Sequence, residues 1–205
     1  LNDATLVDVG GGYGIFAEEI KNIGIKNIIV IEPSAELAGI CREKGLIVIE
    51  KFLENLDHSD LPDNQLFFLS FELFEHLHSP KTFLNSLYKV MKKNDYFFFT
   101  TLSSNGIDIR VLWEESESVS PPHHLNFFNP SSVKILLEKN KFDIIQATTP
   151  GELDLDIMSR NHAINSNNFW KIFFKNASEN TKSDLQNFIS KNGFSSHMHI
   201  LSRRG

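Results

Sequence analysis

Seven residues near the start of the chain, Asp8-Val9-Gly10-Gly11-Gly12-Tyr13-Gly14, constrain its fold more than any other stretch. An apolar run, Leu6-Val7-Asp8-Val9, precedes the glycines and reads as a buried parallel strand. After them, Ile15, Phe16 and Ile20 fall on one face of a helix and Glu18 and Glu19 on another. Glycines between a strand and a helix let the backbone turn sharply and come close to a ligand. The free N–H groups of the helix then point over the strand ends, where α/β sheets bind nucleotide-like molecules.

The spacing of the glycines narrows the ligand. A dinucleotide fingerprint runs Gly-x-Gly-x-x-Gly, whereas this loop is Gly10-x-Gly12-x-Gly14 followed by Ile15. A phosphate-binding Walker loop ends in Gly-Lys-Ser/Thr, which is absent here. A second apolar run, Asn27-Ile28-Ile29-Val30-Ile31, ends in Glu32-Pro33-Ser34. A carboxylate at that strand end can accept hydrogen bonds from two vicinal hydroxyls at once.

At Asp8, Gly10, Gly12, Gly14 and Glu32 the chain resembles the class I S-adenosylmethionine (SAM) dependent methyltransferases. The resemblance implies that Asp8, Gly10, Gly11, Gly12, Tyr13 and Gly14 form the SAM loop. It gives Glu32 the ribose hydroxyls, with Pro33 beside it. Phe52 and Leu53, after the third strand, flank the adenine, and Ser70 and Phe71, after the fourth, lie beside the methionyl arm. S-adenosylhomocysteine (SAH) would be the product.

Composition sets outer limits. With 205 residues, 41% hydrophobic and 22% charged, the chain has material for one globular domain with a two-sided core. A net charge of -6 argues against nucleic acid as the partner. No apolar run is long enough to span a bilayer and no signal peptide is visible, so cytoplasm is the default expectation. Cys41 is the single cysteine, which excludes a disulfide framework and a cysteine-based zinc site. The chain begins at Leu1 without Met, so an N-terminal element is expected to be missing.

Strand and helix patterns alternate along the chain, which calls for a parallel sheet covered on both faces. Strands are expected at about 5–9, 27–32, 46–49, 66–69, 96–100, 142–145 and 197–201. Helices are expected at about 15–23, 34–44, 79–92, from 130 onward, and at 166–176 and 180–192. Residues 103–126 read as polar loop with a short helical turn near 109–113. Residues 149–157 alternate apolar and acidic side chains and read as an edge strand or part of a substrate rim. The resemblance implies a Rossmann-like seven-stranded sheet ordered 3-2-1-4-5-7-6 with the last strand antiparallel. Residues 165–194, with Phe169, Trp170, Phe173 and Phe174, are expected to add a helical cap to that single domain.

Two further runs bear on the acceptor. Glu75-His76-Leu77 before Pro80 matches an acid-His-apolar run common in the family. Pro122-His123-His124-Leu125-Asn126-Phe127-Phe128 looks like the Pro-x-His-Leu-x-Phe-Phe run of bacterial methyltransferases of the type 11/12/23 grouping, which includes relatives of the ubiquinone O-methyltransferases. His124 and His76 are the candidate catalytic residues, each as a base or as a structural histidine. Neighbouring His123 and His124 point apart in extended chain, so they make no metal site by spacing. The expected reaction is methyl transfer to a small-molecule acceptor, a hydroxyl of a sugar or another metabolite. An NAD(P)-dependent oxidoreductase, a non-catalytic SAM-binding module and an RNA methyltransferase are the alternatives; oligomeric state and acceptor are not legible.

Overall fold

The computed structural model describes residues 4–205. Residues 1–3, and any element ahead of them, lie outside the described residues. The elements run β1 (Thr5–Val9), α1 (Ile15–Asn22), β2 (Ile28–Ile31), α2 (Ala35–Glu43), β3 (Ile47–Ile49), β4 (Leu66–Ser70), α3 (Pro80–Val90) and β5 (Tyr96–Leu102). They continue with α4 (Ile107–Leu112), α5 (Pro130–Lys139), β6 (Phe142–Thr148), α6 (Asp154–Arg160), α7 (Asn168–Asn176), α8 (Glu179–Lys191) and β7 (His197–Arg204). Short 3-10 turns join several of them, including Leu53–Asn55 and Phe74–His76.

One seven-stranded sheet has the order β3-β2-β1-β4-β5-β7-β6. β1 to β5 pair in parallel, and β7 runs antiparallel to both β5 and β6. This is the sheet expected of the family, and it is Rossmann-like. All four residues of β2 are buried, as a strand covered on both faces requires. One face carries the larger core, where Phe68, Phe97 and Phe99 meet Leu84 and Leu87 of α3 and Val133 and Leu137 of α5. On the other face Ala17 of α1 and Cys41 of α2 pack on Ile28 and Val30. Cys41 is wholly buried.

A third core holds the last helices together. Leu112 of α4, Leu155 and Met158 of α6, Trp170 of α7 and Ile189 of α8 pack on one another. The aromatic stripe of α7 is therefore packing: Trp170 stacks on Phe174 with centroids 5.9 Å apart and meets Phe173 edge-on at 5.6 Å.

The edge strand expected at 149–157 is wrong. Residues 149–153 are loop and Asp154 opens α6. The alternation misled because Asp154, Leu155 and Met158 also satisfy a helical period, and their burial decides the matter. The region 103–126 contains a full helix, α4, anchored by buried Asp108, Ile109 and Leu112. β6 runs on to Thr148 and β7 to Arg204, because each strand completes the other's ladder. No helix among the described residues is long and apolar enough to cross a membrane.

Candidate functional site

The in-register pairing of Val9 with Ile31 puts the glycine loop next to the end of β2. Gly10, Gly12 and Gly14 all have positive φ, 74°, 54° and 68°, so the loop turns through a conformation that costs other residues energy. Gly12 donates its N–H to Glu32 Oε2 at 2.9 Å, and Ser34 donates its N–H to Oε1, also at 2.9 Å. Glu32 is thereby held in one orientation while each oxygen keeps a second lone pair. Cys41 Sγ donates to the Gly12 carbonyl at 3.2 Å and ties the loop to α2. Asp8 lies beneath the loop, buried; burial and then the charge of Glu32 push its carboxyl up to about 7.

A cleft of about 510 Å³ opens beside these residues at the carboxyl ends of the parallel strands. Gly10, Glu32 and Pro33 form one wall, Phe52 and Leu53 a second, and Leu73 and His76 a third. Phe52 is 59% exposed, so its ring is a free apolar surface at the rim. The volume lies in the range of small-molecule sites, ~300–1,000 Å³. A larger opening of about 1070 Å³ lies between β6 and α6–α8, lined by polar groups such as Gln186 and Lys182, and contains none of the loop residues. Chemistry and topology favour the smaller cleft.

Not every expected residue faces that cleft. Tyr13 is exposed outside it, and Gly11, Gly12 and Gly14 form the loop behind its wall. Ser70 is buried at the end of β4 with no hydrogen-bond partner for its Oγ. Phe71 turns toward α1, with its ring 4.3 Å from Phe16 and 6.0 Å from Phe98. Leu73, His78 and Thr82 line the cleft unannounced. The strand-end rule points to this loop, yet only the fold says which of its residues turn inward.

The two candidate histidines come together. The rings of His76 and His124 lie 4.8 Å apart, though they belong to separate loops. The loop carrying His124 is strapped down by Leu125 and Asn126, whose N–H groups both donate to the Glu75 carbonyl at 2.7 and 3.1 Å. The Asn126 side chain adds a bond to the Leu77 carbonyl at 2.5 Å. His76 Nδ1 meets the His123 carbonyl at 2.8 Å and His124 Nδ1 meets the Ser118 carbonyl at 2.7 Å. A carbonyl only accepts, so both Nδ1 atoms carry a proton and Nε2 is the position on each ring that can offer a lone pair. Glu75 is buried beside them; burial raises its carboxyl above the usual range, and its Oε2 accepts the Thr101 hydroxyl at 2.9 Å.

A second polar chain went unpredicted. Glu72 accepts from Thr100 Oγ1 at 2.6 Å and faces His197 Nδ1 at 3.4 Å. His197 and His199 share a hydrogen bond at 2.9 Å between their Nε2 atoms. Burial and the neighbouring His197 lower the pKa of His199. The period-two spacing of these histidines on one strand was a legible signal, but their meeting with Glu72 depends on β5 and β7 being neighbours.

Comparison with known proteins bears on the reading. A family model described as a methyltransferase domain matches residues 1–147. No curated protein matches the chain. Among solved structures, an Archaeoglobus fulgidus SAM-dependent methyltransferase is similar at 20% identity, with a TM-score of 0.64 over 98% of this chain and 86% of that one. A Thermotoga maritima SAM-dependent methyltransferase, a possible histamine N-methyltransferase, matches at 21% identity and TM-score 0.61, over 98% and 82% of the two chains. Geranyl diphosphate C-methyltransferase from Streptomyces coelicolor, solved with Mg2+, geranyl diphosphate and SAH, matches at 13% identity and TM-score 0.61, over 100% and 72%. With the glycine loop, Glu32 and the sheet order in place, the chain belongs to the methyltransferase-domain family and is a class I SAM-dependent methyltransferase.

Proposed function

We propose that the enzyme methylates a hydroxyl of a small molecule, a sugar or another metabolite, in the cytoplasm, with SAM seated between the glycine loop and the 510 Å³ cleft. The observation that carries the SAM placement is Glu32, buried at a strand end and held by two backbone N–H groups with lone pairs to spare. Two ribose hydroxyls are the complement of that carboxylate. Phe52 offers its exposed ring to the adenine, with Pro33 and Leu53 completing that wall. Asp8, Gly10, Gly11, Gly12, Tyr13 and Gly14 set the path of the loop. Ser70 and Phe71 are assigned to the methionyl side from their place after β4; neither lines the open cleft, and Ser70 Oγ is buried without a hydrogen-bond partner.

Methyl transfer is an in-line displacement, so the site must hold the acceptor lone pair ~3 Å from the methyl carbon, opposite the departing sulfur. SAM supplies the methyl group. A hydroxyl acceptor must also lose a proton; His76, which lines the cleft, and His124, whose ring lies beside it, are our candidates to take it at Nε2. Helices α7 and α8, packed on α4 and α6 through their shared core, are read as a cap over the acceptor side.

Calorimetry with SAM, SAH and NADH tests the cofactor placement. SAM and SAH should bind with one site per chain and NADH should not. Tight NADH binding without SAH binding would overturn it. A labelled-methyl screen of metabolite extracts then tests the acceptor class; labelled products confined to amines would remove the hydroxyl.

A further inference from the structure

We propose that Glu75, His76 and His124 form a binding site for one divalent transition-metal ion at the acceptor end of the cofactor cleft. One potential ligand atom from each of the three residues lies within 4.8 Å of the others, and no second group of three such residues is found among the described residues. Zinc–nitrogen and zinc–oxygen bonds of about 2.0–2.2 Å need ligand atoms somewhat closer than this. Binding would therefore draw the three side chains closer; His76 is exposed and His124 half-buried, so neither ring is packed on all sides.

The surroundings resemble those of a metal site more than those of a chance cluster. Each imidazole has its Nδ1–H committed to a backbone carbonyl, which sets the ring orientation and leaves Nε2 to ligate. Glu75 is only 1% exposed and its carboxylate is oriented by the Thr101 hydroxyl. A buried carboxylate is costly unless it is paired or coordinates a cation. No Lys or Arg forms an ion pair with it among the described residues. The two loops are bound together through the Glu75 carbonyl, so the three donors are brought together by the protein itself.

Two imidazoles and one carboxylate suit Zn2+ or Mn2+ better than Mg2+ or Ca2+, which favour oxygen donors. Three protein ligands leave coordination positions open. His76 also lines the cleft, so an acceptor oxygen can reach such an ion from the cofactor side. The ion would polarise a hydroxyl of the acceptor. With both Nε2 lone pairs on the ion, the histidines no longer serve as the base: the proton leaves to water, the oxygen forms a bond to the methyl carbon, and the sulfur–methyl bond breaks to give neutral SAH. This role rests on the acceptor reading above; the binding site does not.

The test is calorimetry of the full chain, stripped with a chelator, titrated separately with Zn2+, Mn2+ and SAH. The expected result is one saturable ion per chain, weakened at least tenfold in His124→Ala and in His76→Ala. His123→Ala should bind the ion like the native chain, because only its carbonyl takes part. Glu75→Gln should also weaken the ion, and its melting curve shows whether it is folded; the two histidine variants decide the matter where it is not. Absence of saturable binding, or binding unchanged in both histidine variants, overturns the site. SAH binding without ion binding removes the metal and leaves the cofactor placement standing. Ion binding without SAH binding does the reverse.

Discussion

Gly12 and Glu32 are joined by a 2.9 Å hydrogen bond from the glycine N–H to Oε2, which ties the glycine loop to the end of β2. Replacing Glu32 removes this tie and the hydroxyl acceptor together. Glu32→Ala should weaken SAH binding by about 1.5–3 kcal/mol for each charge-assisted bond lost, with strong non-additivity. Glu32→Gln, which keeps one carbonyl oxygen, should lie between. Calorimetric affinity unchanged in Glu32→Ala would place the ribose elsewhere.

Phe52 separates binding from folding. Its ring is 59% exposed at the cleft rim, so Phe52→Ala should leave the melting temperature within a degree or two. If the ring covers the adenine, SAH affinity should drop by about 1 kcal/mol, the scale of an aromatic contact. An SAH isotherm that matches the native chain would take Phe52 out of the site.

Gly14 is a position where both conformation and space demand glycine. Its φ is +68°, and a Cβ there would stand 2.8 Å from both Cys41 Sγ and Leu46 Cδ1. Gly14→Ala should destabilise the fold by about 1–3 kcal/mol through strain and overpacking. Urea unfolding reads this directly; a midpoint equal to that of the native chain would contradict the loop conformation.

Asp108 predicts a pH dependence. It is fully buried, neither carboxylate oxygen has a hydrogen-bond partner, and burial with the nearby charge of Asp154 raises its pKa to about 6. The unfolded value is about 3.9. The folded state therefore holds the proton more tightly, and its contribution is complete below pH 4 and lost as the pH rises through about 6. Asp108→Asn should raise stability at pH 8 by about 1–3 kcal/mol and flatten the curve between pH 4 and 6. Melting temperatures that track the native chain across this range would show that Asp108 does not titrate in the fold.

His124 is the test of chemistry. With Nδ1 bound to the Ser118 carbonyl and the ring beside His76, His124→Ala should slow methyl transfer by about 10²–10⁴-fold, with SAM affinity nearly intact. If its part is only to hold the loop, the melting temperature falls and turnover declines with the folded fraction. Turnover, SAM affinity and melting temperature on one preparation separate the two cases.

The class of fold and the elements of the proposed cofactor half of the site are local properties, and they were readable from residues in order. Gly10, Gly12 and Gly14 follow an apolar strand directly, and Glu32 closes the next one; near-continuous apolar runs and capped amphipathic helices mark a covered parallel sheet whatever else the chain does. Residues 149–157 show where such reading stops: a short run can satisfy period two and period 3.6 alike, and only the burial of Asp154, Leu155 and Met158 chooses between them. The acceptor half was decided by tertiary structure alone. His76 and His124 meet because two loops share the Glu75 carbonyl, and Glu72 meets His197 because β7 inserts beside β5. Contacts of this kind depend on strand order and loop path, which arise from the summed burial of many residues, so no spacing in the sequence carries them.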